Sequence, residues 1–203
     1  MTGRNIFSQK HDVVSVVGFN FENNTLACNP KERIMDKPEV WLRGPLANIP
    51  ALLQPVAHAL LQAAEEVQEL MAEFPDDKLW ERPSNVASVG FHLQHLTGVL
   101  DRLFTYAKGE SLTSEQLEYL RSEGAHSDIT GNVLVQRFHQ QIEKSLKDLE
   151  NTDANALLNP VGVGRKKLPS TVLGLLFHAA EHTQRHTGQL LVTVRVLVNR
   201  SSL

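Results

Sequence analysis

Cysteine is almost absent from this chain. Cys28 is the one thiol in 203 residues, which excludes an internal disulfide and a metal site built on paired thiolates. An excess of charge of one sign is also missing: 20 Lys and Arg stand against 23 Asp and Glu, for a formal charge of −3 and an isoelectric point near 6.3. That balance gives no field to concentrate nucleic acid or an anionic membrane. The short basic run Arg165-Lys166-Lys167 has the composition of a solvated loop. No stretch of about 18 apolar residues is available to span a bilayer, and no N-terminal run has the apolar centre of a signal peptide. The expectation is a cytoplasmic protein with no nucleic-acid partner and no membrane association.

What the chain has in quantity is helical periodicity. Between Ile49 and Glu73, the residues Leu52, Leu53, Val56, Leu60, Ala63, Ala64, Val67 and Leu70 trace a stripe of period 3.6. Asn48 reads as its N-cap, Pro50 suits a first turn, and Pro55 kinks or restarts the helix. A second helix spans about Val86 to Ala107 and closes at Gly109. Thr113-Ser114-Glu115-Gln116 has the form of a capping box opening a short helix to about Glu123. A third long helix covers about Thr130 to Leu149. After a loop with Pro160, Gly162, Gly164 and Pro169, Ser170 caps a fourth that reaches about Val198. No convincing strand pair follows residue 40. A connection of some twenty residues between the second and third long helices is too long for a tight turn. It suits a crossover that makes those two helices parallel, giving an all-α, up-down-down-up four-helix bundle with a short crossover helix.

The beginning of the chain has another character. Val13, Val14, Val16, Val17, Phe19 and Phe21 are β-prone, Asn23-Asn24 suits a hairpin turn, and no helical stripe appears. Residues 1–37 therefore read as an N-terminal extension, either a hairpin or a poorly ordered tail, and 38–203 as the bundle domain. Met35 reads as an alternative start, the first 34 residues as contributing few buried contacts, and Trp41, Leu42 and Leu46 as packing on the bundle.

Five of the nine histidines fall in two short windows. In the last helix His178, His182 and His186 recur every four residues, so their Cβ atoms stack about 6 Å apart on one side. His92 and His95 lie on the second helix. His182 and His186 form a chelating pair, since two basic rings in a bundle core without a metal would leave nitrogens short of partners. Catalytic zinc typically takes three protein ligands and keeps one position open, and zinc and nickel both accept neutral imidazole. His95, in line with Val89, Leu96, Val99 and Leu103, is the favoured third ligand. His92 is rotated off that stripe, to the rim or to a place behind the ligands. His178 extends the row as a supporting residue or a fourth ligand. Gln189 is placed to hydrogen-bond a ligand ring, and Gly188 to permit close helix approach. His58, His126 and His139 read as solvated or hydrogen-bonded residues. A di-iron bundle needs Glu-x-x-His on two helices; Glu123 to His126 is the one such spacing, and Gly124 interrupts it. Bis-histidine haem would not require the i, i+4 pair.

Taken together, Ser88-Val89-Gly90-Phe91-His92-Leu93-Gln94-His95-Leu96 and His182-x-x-x-His186-x-Gly188-Gln189 resemble the DinB superfamily of YfiT-like bundles, which includes bacillithiol transferases and mycothiol-dependent isomerases. The likeness covers about residues 38–198. It implies an up-down-down-up bundle, a divalent metal held by three histidines that fall here on His95, His182 and His186, and frequent homodimers. Many relatives carry His-Arg-Gly-Gln where this chain has His186-Thr187-Gly188-Gln189, so the basic neighbour is replaced. The expected activity is transfer of a low-molecular-weight thiol to an electrophile, or hydrolysis of a small substrate, at a zinc or nickel ion. Glu181 is about 100° from His182 around the helix and is not assigned as a general base. The competing class is a dimeric metal-binding or stress-response bundle without turnover.

Overall fold

A computed structural model of the chain describes residues 37–199. The readings for residues 1–36, including the extension, its hairpin and the Met35 start, lie outside the described residues. Five α-helices make up the body: α1 (Gln54–Met71), α2 (Val89–Ala107), α3 (Ser114–Ser122), α4 (Gly131–Glu150) and α5 (Val172–Asn199). A hairpin of β1 (Pro160–Val163) and β2 (Leu168–Thr171) precedes α5, pairing Val161 with Ser170 and Val163 with Leu168.

Contacts between helices fix their directions. The Gln184 amide donates to the Ala59 carbonyl at 2.7 Å, and Lys78, just beyond α1, donates to the Leu197 carbonyl at 3.1 Å, so α1 and α5 run parallel. Lys144 meets Asp101 at 2.6 Å and Lys108 meets Asp148 at 2.8 Å, which makes α2 and α4 parallel. His92 faces His186 while His95 faces His182, so α2 and α5 are antiparallel. Up-down-down-up is the result, with α3 riding the crossover between α2 and α4. Each of α1 and α2 packs against both α4 and α5. The seam is filled by Leu53, Leu60 and Val67, Leu93, Leu96 and Leu100, Leu134 and Phe138, and Leu176, Leu190 and Leu197, all buried.

Local chemistry explains the element boundaries. The Ser88 hydroxyl accepts from the Phe91 amide to cap α2, and Thr130 does the same for α4 through Val133. At α3, Thr113 and Gln116 exchange side-chain and backbone hydrogen bonds in the expected capping box. Gly109 ends α2 at φ +76°, a conformation open to glycine at little cost. Pro55 lies in the first turn of α1, where a 3₁₀ turn at Ala51–Leu53 passes into α-helix, so it restarts the helix rather than kinking it. Asn48 is not the cap; it sits at φ +62° in the preceding turn. The tighter 3₁₀ turn also rotates Leu52 away from the stripe and into solvent.

Two expectations need correction. A strand pair does follow residue 40: each strand has four residues, carries a proline, and leaves one edge unpaired, so no alternating apolar signal marks it. The basic run Arg165-Lys166-Lys167 occupies its connecting turn, with Gly164 and Lys167 at positive φ. Ser170 belongs to β2, and it is the Thr171 hydroxyl that accepts from the Gly174 amide at the start of α5. Secondly, Trp41 and Leu42 are exposed, while Val40 is buried and Leu46 packs on the core. A 3₁₀ turn at Val40–Arg43 selects which of these side chains faces α1, and the Val40 amide donates to Gln62 at 2.9 Å.

The start of α2 is held by an aromatic plate. Trp80 lies flat against Gly90, where an added Cβ would come within 2.5 Å of its ring. Its indole N–H is anchored on the Ser127 carbonyl at 3.0 Å. The Gly90 amide meanwhile donates to the Leu79 carbonyl at 2.8 Å. The ring cannot withdraw without losing its bond to Ser127, so Gly90→Ala is expected to destabilise the fold by about 1–3 kcal/mol, as overpacked cores do. Denaturant unfolding of the variant against the parent chain checks this.

Candidate metal centre

The antiparallel packing of α2 on α5 presses four imidazoles together. The Nε2 atoms of His95 and His182 lie 3.0 Å apart, and the Nδ1 atoms of His92 and His186 lie 3.2 Å apart. Ring centroids are separated by 4.4 Å for His95 and His186 and by 4.6 Å for His182 and His186. One ligand nitrogen from each of His95, His182 and His186 lies within 4.8 Å of the other two. Tetrahedral zinc, with bonds of about 2.0–2.1 Å, places its ligand atoms about 3.3 Å apart, a separation small rotations of these rings would reach.

The donor chemistry fits a cation. His95 Nδ1 lies 2.7 Å from a carboxylate oxygen of Glu123, whose other oxygen takes Arg102 at 2.5 Å. The carboxylate oxygen accepts, so His95 donates from Nδ1 and keeps its lone pair on Nε2. Phe91 stacks on the same ring at 5.3 Å and 9°. His182 must then donate a hydrogen bond from its Nε2–H to His95, which leaves its buried Nδ1 without a partner. A cation between the two Nε2 atoms would free His182 from that tautomer and use both lone pairs.

Burial favours the neutral form of His92, His182 and His186. Burial is the main cause holding His186 down to about 3, reinforced by His95, His182 and His92. Burial, and then the charge of His95, holds His92 down to about 4. His182 is lowered for the same leading reason. Neutral imidazole is the form that binds metal.

The two histidine windows thus come together, but their members differ from expectation in detail. Of the two places expected for His92, the structure shows the one behind the ligands: it is 3% exposed and touches His186. His178 is half exposed, 3.3 Å from Glu181 and with its ring 5.2 Å from that of His182. His178, Glu181 and His182 form a second group with ligand atoms in reach of one another. It shares His182 with the first group, and Glu181 is already paired with Arg185. Gln189 is solvent-exposed, and the hydrogen-bond partner of His186 is His92 in its place. Gly188 is exposed as well, and a Cβ there would meet nothing within 4 Å. Both positions face outward because α5 turns its His186 face inward. Of the other histidines, His58 bonds the Gly44 carbonyl at 3.1 Å and His126 lies beside Trp80.

Glu123 and Arg102 are the residues sequence reasoning misses. Arg102 carried a signal, seven positions beyond His95 and so on the same helical face. Glu123, 28 residues away at the end of α3, carried none.

A helical bundle that gathers three imidazoles from two helices is the class of protein these observations define. The sequence profile of the DinB superfamily matches residues 59–190, and the chain belongs to that superfamily. A crystal structure of a conserved protein from Enterococcus faecalis shares the fold, with a TM-score of 0.58 at 15% identity over 72% of this chain and 97% of that one. A comparison with curated proteins gives no match. No helix of the described residues is long and apolar enough to cross a membrane.

Depressed histidine pKa values set a pH dependence with a definite sign. The unfolded chain takes up protons near the ordinary histidine value of about 6.5, whereas His92 and His186 resist protonation down to about 4 and 3. Between those limits the unfolded state binds more protons, so stability rises with pH. The metal-free protein should be most stable above pH 6.5 and lose melting temperature steadily from pH 6.5 to 4. Thermal melts across that range test it; a flat profile would contradict the burial of these rings.

Proposed function

We propose that this chain is a metal-dependent enzyme of the DinB type. His95, His182 and His186 would hold one divalent ion, zinc or nickel, and a low-molecular-weight thiol would be transferred to a small electrophile. The observation that carries the reading is the gathering of three imidazole nitrogens within 4.8 Å on two helices, in an environment that lowers the pKa of His182 and His186. A divalent ion on three neutral ligands keeps its full charge and supplies the pull that deprotonates a bound thiol or water.

The residues around the centre divide the work. Glu123 fixes which nitrogen of His95 is free, and His92 occupies Nδ1 of His186. Phe91 shields the flat side of His95 from water. Hydrolysis of a small substrate is the neighbouring chemistry, and it asks for a free base beside the ion. Glu123 is committed to Arg102 and His95, and Glu181 to Arg185 and His178. Thiol transfer, in which the ion itself acidifies the nucleophile, asks less of these carboxylates and is preferred for that reason.

Protein prepared without nickel-affinity chromatography should carry close to one divalent ion per chain. His182→Ala should remove most of it and His139→Ala, on α4, none. The loaded protein should consume a low-molecular-weight thiol and an alkylating electrophile over many turnovers. Tight metal with no turnover would favour the non-catalytic bundle.

Assembly as a homodimer belongs to the same proposal. Phe177, Val192 and Val196 on α5 and Leu52 beside α1 are exposed apolar side chains, and a two-fold contact would cover such a face. Light scattering should give two chain masses at micromolar concentration; one chain mass would overturn the dimer.

A further inference from the structure

We propose that Glu123 is a positioning residue for the metal centre, and that the crossover helix α3 is the clasp that delivers it. The proposal rests on the reading of His95 as a metal ligand.

The end of α3 is seated in a slot on α2. Tyr119 donates from its hydroxyl to the Gln94 carbonyl at 3.2 Å, and the Gly124 amide donates to the Gln94 side chain at 2.7 Å. Gly124 turns the chain at φ +84°, a conformation that favours glycine, and packs on Phe91, the ring that covers His95. Gly98 completes the slot. A Cβ there would collide with the Glu123 carboxylate, with Arg102 at 2.6 Å and with Tyr119 at 2.7 Å. Gln94, His95, Gly98 and Arg102 thus form one surface of α2 shaped to receive one turn of chain.

That turn carries a carboxylate that is 4% exposed. Burying it is costly unless every oxygen is satisfied. Arg102 satisfies one oxygen and anchors the crossover. The second oxygen is aimed at His95 Nδ1, where it fixes the tautomer, aims Nε2 and raises its basicity. The arrangement ties two events together: α3 docked on α2 strengthens the ligand, and by reciprocity an ion on His95 holds α3 down.

Zinc affinity measured by chelator competition at pH 7 tests this on the full chain. Glu123→Gln should weaken binding several-fold and Glu123→Ala about 10- to 100-fold, the usual effect of removing a partner behind a ligand. Amide exchange in 114–124 should slow when zinc is added to the parent chain and change little in Glu123→Ala. A Glu123→Ala chain that melts earlier but binds zinc as tightly as the parent would overturn the proposal and leave Glu123 an anchor only. If that variant fails to fold, the near-isosteric Glu123→Gln decides, and unchanged affinity there overturns it equally. A parent chain that binds zinc no better than its His182→Ala variant would instead sink the three-histidine centre, and this proposal with it.

Discussion

Four imidazoles share the seam between α2 and α5, and their burial is the constraint on which the rest of the site depends. Each ring brings two nitrogens into a region where water is scarce, and an unpaired buried nitrogen costs on the order of 1–3 kcal/mol. The fold answers with pairs: His92 with His186, His95 with His182, and Glu123 behind His95. Of the nitrogens outside these pairs, Nδ1 of His182 is fully buried with no partner. Buried titratable clusters of this kind gather at functional sites, where local rules of folding are broken for another end.

The bundle around it is arranged to hold that seam in place. Trp80 wedged on Gly90 sets where α2 begins, and the Ser88 cap sets its first turn. The Gln184 bond to α1 and the Lys78 bond to the end of α5 fix how far α5 reaches along its neighbours. With α2 and α4 parallel, the chain must travel back along the bundle between them, and that return path brings α3 beside the histidines. An acidic residue distant in sequence arrives at the centre as a by-product of topology.

How much of this was legible depended on range. The long helices, the capping box of α3 and the crossover follow from local rules, and the stripe of α1 was right except at Leu52, whereas Asn48 and Ser170 were misread as caps. The i, i+4 pair was legible because helical pitch alone sets its geometry, and His95 because it lies in line with apolar neighbours. The depth of His92 was not, since the stripe argument sees one partner and a bundle helix has several. Gly188 and Gln189 were misread for the opposite reason: a motif in sequence does not say which way its members point. Two four-residue strands ending at a helix offer too few positions to show alternation. Glu123 could be found only by knowing that α3 folds back on α2.

Two of the three gathered nitrogens belong to a single helix, and their spacing is therefore as stiff as that helix. The third comes from α2 and depends on how two separate cylinders are aligned along their length. A slip of one residue between them is a shift of about 1.5 Å, comparable to a metal–ligand bond, and would open the triangle at His95 alone. The cluster thus behaves as a vernier, in which a fixed pair of marks on α5 reads the position of a single mark on α2.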